Sequence, residues 1–194
     1  VIEGENLDIL IGSRPLNEER DEKKKEAVKN NVLRILKEKY DVELFHLEEE
    51  VEKKGDDLQK LINYSKREVK ENIITLDGVL NEGIDCEELR KLCMKIVAPV
   101  PKNIKDLKTR KLLQTIIAEK SGEDAARKIV APLFYLNDLR VCFAHLIPQK
   151  EIDEYEANIV SAFGLSDFTE YKKMYDTLID ELYSLYRYLN VTEI

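Results

Sequence analysis

Arg140 and His145 are the two side chains in this 194-residue sequence whose types and spacing suit joint charge-stabilising and proton-transfer chemistry. They lie in the stretch Leu136 to Leu146, reading LNDLRVCFAHL. Between Pro132 and Ile147 the strongly polar side chains are Asn137, Asp138, Arg140 and His145. The surrounding positions are apolar enough to predict a helix covered on both sides. An Arg and a His in such a helix must be paired or face a cleft, because an unpaired buried charge is costly. Five residues at about 100° each set the two roughly 140° apart around the axis. Neither stacks on the other, and both can border one groove from its two sides.

The motif Arg140-Val-Cys-Phe-Ala-His145, approached by PLFYLNDLR, resembles the signature of the HEPN superfamily. Those all-helical domains carry an Arg, four to six intervening residues and a His, and many cut RNA. The likeness is to HEPN regions at the C-terminal ends of bacterial abortive-infection proteins, over about residues 57 to 190. It implies a dimer in which two Arg-His motifs face each other across one cleft. Asn137 and Asp138 are then supporting residues that orient Arg140 or His145 of either chain. This sequence departs from the pattern at Val141, where many active members carry a polar residue, often Asn.

The chemistry is consistent with those residue types. Attack of a ribose 2′-hydroxyl on the neighbouring phosphate needs a base, an acid for the leaving 5′-oxygen, and positive charge on the phosphorane. Histidine, with an ordinary pKa of about 6.5, supplies either proton role near neutrality. Arginine stays charged and its planar fork matches phosphate oxygens. One chain offers one such His, so an acid-base pair requires a second copy across a twofold axis. The expectation is a metal-independent, cofactor-free endoribonuclease acting as a homodimer on single-stranded RNA, in an anti-phage or toxin-like role. Replacing Arg140 or His145 by Ala should then abolish cleavage without unfolding the protein. Two other readings stand beside it. In one, Arg140 and Asp138 form a buried network that fixes helix register, and His145 is a satisfied core histidine. In the other, the chain is a catalytically silent HEPN-like module serving a partner protein or an upstream sensor domain.

Composition narrows the field. Hydrophobic residues make up 43% and charged residues 36%, with seven Gly, five Pro and no Trp, which suits a helix-rich globular chain. No apolar run approaches a membrane span, and the expected location is cytoplasmic. Cys86, Cys93 and Cys142 follow no metal-ligand spacing and read as buried thiols. A net charge of −8 argues against nonspecific duplex binding. Only residues 61–119 are net positive, with 11 basic against 9 acidic side chains. Their densest run, Lys102, Lys105, Lys108, Arg110 and Lys111, reads either as a contact to backbone phosphate or as a solvated helix face.

The elements that must position the motif follow from periodicity and caps. Residues 1–56 are expected to be an extension or linker carrying a helix, and 57–194 a HEPN-like helical bundle. In the bundle, Asp56 or Asp57 opens a helix through Leu58, Leu61, Val69, Ile73, Leu76 and Leu80. Asp85 with Glu88 caps a second, which Pro99 and Pro101 stop. Asn103 opens a third, ending at Ser121-Gly122, and Ser121 leads into the motif helix. Phe168, Tyr171, Tyr175, Leu178, Leu182, Leu185 and Leu189 step alternately three and four residues, predicting a long C-terminal core helix. The motif helix is apolar around more of its circumference than one bundle needs, which suggests that a second copy covers it.

Overall fold

The computed structural model describes residues 57–58 and 61–191. The expected N-terminal extension of residues 1–56 lies outside them. Six α-helices and no strand are present among the described residues: α1 Lys66–Asp77, α2 Cys86–Ile96, α3 Thr109–Ser121, α4 Glu123–Ala144, α5 Gln149–Phe163 and α6 Tyr171–Val191. The all-α bundle predicted from periodicity is therefore what the described residues form. A π-helical turn, Gly78–Glu82, extends α1, and a short 3-10 turn, Ile104–Asp106, precedes α3.

Helix α4, which carries the motif, is the centre of the bundle and packs against α1, α3, α5 and α6. Ala126, Val130, Leu133, Leu136, Leu139 and Phe143 are its buried apolar contacts. Within one chain these neighbours bury Leu133, Leu136, Leu139 and Phe143, while Phe134, Tyr135, Val141 and Cys142 stay half-buried and Leu146 is exposed. The C-terminal seam also packs as its spacing implies: Tyr175, Leu178, Leu182 and Leu185 are buried, together with Met174.

Several boundaries shift for local reasons. The first helix begins at Lys66 rather than near Asp57, because Tyr64 adopts a left-handed φ of 51° and Ser65 is extended. Ser65 then forms a capping box: its backbone N–H donates to Glu68 Oε2 at 2.8 Å, and the Glu68 N–H donates back to Ser65 Oγ at 3.3 Å. Asp85 caps α2 as expected, accepting from the N–H groups of Glu87 and Glu88. Asn103 opens only the 3-10 turn, and α3 starts at Thr109. The segment 97–108 is fastened instead by Arg90, which donates to the carbonyls of Ile104 at 3.1 Å and Leu107 at 2.9 Å. Gly122, at φ 80°, joins α3 to α4 and takes the capping position expected of Ser121, whose hydroxyl bonds Tyr188 Oη. The last helix starts at Tyr171, after a turn in which the Ser166 N–H donates to Glu170 Oε1.

Candidate functional site

Arg140 lies on the α4 face turned toward the end of α1. Its Nε is 3.2 Å from Asp77 Oδ2, and its Nη2 is 3.0 Å from Glu82 Oε1. The three side chains differ sharply in exposure: 2% for Asp77, 30% for Arg140 and 53% for Glu82. In a regular α-helix, Asp77 and Glu82 would stand roughly 140° apart around the axis. The π-helical turn, with its i→i+5 bonding, brings residues five apart closer to alignment. Both carboxylates therefore reach one guanidinium. Asn81 completes the group, donating from Nδ2 to Asp77 Oδ1 at 2.6 Å and to the Leu133 carbonyl at 3.4 Å. Its own Oδ1 is buried and has no hydrogen-bond partner among the described residues.

Within one chain these partners differ from Asn137 and Asp138. Among the described residues Arg140 pairs with neither Asn137 nor Asp138. Asn137 instead donates to Asp138 Oδ1 at 3.4 Å. The proposed register-fixing network of Arg140 with Asp138 is corrected accordingly: the network that exists joins Arg140 to Asp77, Asn81 and Glu82. Asp77 lies 63 positions upstream of Arg140, and a lone Asp at the end of an amphipathic helix carries no sequence signal of its distant partner. Its apolar surroundings, TLDGVL, were the available hint.

His145 caps the C-terminus of α4 with its backbone, donating its N–H to the Val141 carbonyl at 3.1 Å. Its side chain is exposed. The satisfied core histidine is thus excluded, because the helix ends at Ala144 and releases the chain to the surface. Leu146 beside it is also fully exposed.

The basic run divides in two. Lys102 and Lys105 lie on exposed positions in and before the 3-10 turn. Lys108 is the exposed N-cap residue of α3. Arg110 and Lys111 lean over the Phe134 ring of α4, 5.3 and 5.1 Å from its centroid. Arg110 also acts electrostatically on both Asp77 and Asp138, lowering their proton affinity. It is the member of the run that shares the field of the Arg140 cluster. Cys86 and Cys142 are partly buried, and Cys93 is buried. Burial, aided by Glu156 and Asp138, pushes the Cys142 thiol up to about 12. Among the described residues no group of three or more His, Cys, Asp or Glu side chains is placed to hold a metal ion, and no helix is long and apolar enough to cross a membrane.

Burial pushes the Asp77 carboxyl above its ordinary range, against the pull of Asn81 and Arg140. Burial likewise raises Asp138, Glu156 and Glu181. A raised carboxyl binds its proton more tightly in the folded state, so its stabilising effect fades as pH rises through the folded value. Glu68, Asp167 and Glu170 are lowered by hydrogen bonds and act at the opposite, more acidic edge. The urea midpoint should therefore be higher near about pH 5 than near about pH 8. Asp77→Asn should flatten that slope, and a midpoint that climbs over the interval would contradict the assignment.

Comparisons with known proteins add little to this geometry. No protein-family profile matches the chain, and no solved structure matches it. A 42-residue stretch is 57% identical to part of a probable M18 family aminopeptidase 1 from Clostridium acetobutylicum, covering 22% of this chain. The match spans 8% of that relative's length, a segment too short to show a family or an activity for this chain.

Proposed function

We propose that the chain is a metal-independent endoribonuclease of HEPN type, acting as a homodimer on single-stranded RNA in an anti-phage or toxin-like role. The observation that carries this reading is that one helix, α4, presents both an exposed His145 at its end and an Arg140 that is held in place yet 30% exposed. A side chain needed only for packing would have no reason to stay open to solvent at that helix end. In the proposed reaction, one His145 takes the proton of the 2′-hydroxyl and its twofold mate protonates the leaving 5′-oxygen. Arg140 stabilises the charge that accumulates on the phosphorane. The P–O5′ bond breaks, leaving a 2′,3′-cyclic phosphate and a free 5′-hydroxyl. Arg110 and Lys111 contribute positive field on the approach to α4.

A second reading, a catalytically silent HEPN-like interaction module, is favoured by one specific observation. Arg140 is matched by two carboxylates, so the cluster is net negative before any phosphate arrives. Val141, apolar where active members are often polar, points the same way.

One assay separates the two. The purified chain is incubated with single-stranded RNA in EDTA while its mass is followed by sedimentation at micromolar concentration. Cleavage by a dimer, with cyclic-phosphate ends and no action on DNA, is the expected result. EDTA-sensitive cutting would overturn the chemistry, and a monomer that cuts would overturn the two-copy site. A dimer that leaves RNA intact would favour the silent module.

A further inference from the structure

The π-helical turn that follows α1 is a departure from regular helix beside the candidate site, and such turns frequently mark function. Here it delivers Glu82 to Arg140. We propose that Glu82 holds the place of an RNA backbone phosphate at Arg140, so that substrate binding exchanges one anion for another while Asp77 keeps the guanidinium aligned. This rests on the ribonuclease reading and adds to it a built-in competitor for the phosphate.

The geometry distinguishes the two carboxylates. Asp77 is buried, and its second oxygen accepts from Asn81, so it stays on Arg140 Nε. Glu82 is half exposed and stands at the last position of the π turn, where its carboxylate borders water rather than the core. An ion pair of that exposure contributes little to stability. It nonetheless occupies the Nη2 group that a phosphate must use. Release of Glu82 frees Nη2, so that the Nη1–Nη2 edge can face two phosphate oxygens with Nε still held by Asp77. Two parallel charge-assisted bonds to one phosphate surpass a single bond to one carboxylate, which supplies the drive for exchange.

Binding to a fluorescein-labelled, 2′-O-methylated single-stranded RNA of about twelve nucleotides, which cannot be cleaved by 2′-hydroxyl attack, tests this by anisotropy at low salt. Glu82→Gln is expected to tighten binding about threefold to fivefold, the scale of removing one partly exposed charge partner. In an Arg140→Lys background the same substitution should gain clearly less, because lysine lacks the two-donor edge. Glu154→Gln on α5, which removes an exposed acid elsewhere, should gain less than Glu82→Gln. If Glu82→Gln binds no tighter while Arg140→Lys binds more weakly, the exchange idea falls and the ribonuclease reading survives. If Arg140→Lys leaves binding unchanged, that reading fails and the exchange falls with it. Circular-dichroism melts of each variant establish that the compared proteins are folded.

Discussion

Replacing His145 by alanine is expected to slow RNA cleavage by about 10²- to 10⁴-fold, the range associated with losing a positioned acid or base. It should shift folding stability by no more than about 0.5 kcal/mol, as for other surface substitutions. The asymmetry follows from where the residue sits. Its structural contribution is a backbone N–H donated to the Val141 carbonyl, which alanine makes equally well. Its imidazole is exposed. In the wild-type chain, the dependence of cleavage on pH should be bell-shaped, because one His must be neutral and its mate protonated in the same turnover. That bell should disappear from whatever activity the variant retains. Undiminished cleavage by His145→Ala would sink the assignment of proton transfer, and a large loss of stability would mean that the side chain has a packing role hidden from this arrangement.

How much of this was legible beforehand depended on the range of the interactions. The seam from Tyr171 to Leu189 and the Asp85 cap are local patterns, and the helices they predict are present, with Tyr175, Leu178, Leu182 and Leu185 of the one and Leu89, Leu92 and Cys93 of the other buried. The motif helix was legible for the same reason. Its neighbours were not, because four helices converge on it from both sides of the sequence. That convergence buries Leu133, Leu136, Leu139 and Phe143 within one chain. The dimer in the proposed function consequently rests on the need for two histidines rather than on unburied surface. The Arg140 cluster was the least legible feature. A π turn leaves no periodic signature in GVLNE, and without it Glu82 would be projected onto a different side of the helix from Asp77. Local reading therefore assigned Arg140 to its helical neighbour Asp138.

The pairing of Arg140 with Asp77 and Glu82 leads to a different expectation for Arg140→Ala, a loss of stability alongside any loss of cleavage. Removing the guanidinium leaves Asp77, whose side chain is 2% exposed, with Asn81 as its neutral partner. Breaking a buried pair from one side costs about 3–5 kcal/mol, and the lower end applies here because Arg140 is partly exposed. Protonation of Asp77 offers relief. Burial already raises that carboxyl, and loss of Arg140 removes a charge that favours its ionised form. The deficit of Arg140→Ala relative to wild type should hence shrink as pH falls toward the acidic range and widen as it rises. Urea unfolding of wild type, Arg140→Ala, Asp77→Leu and the double variant Asp77→Leu/Arg140→Met reads this directly. The double variant should recover much of the loss, since no buried charge is left unmatched. A deficit below about 0.5 kcal/mol at neutral pH would show that water already screens the pair. With the expected deficit, lost cleavage in Arg140→Ala cannot by itself be credited to catalysis. Arg140→Lys then becomes the informative variant, because it retains the charge that Asp77 needs and removes only the planar fork that would grip a phosphate.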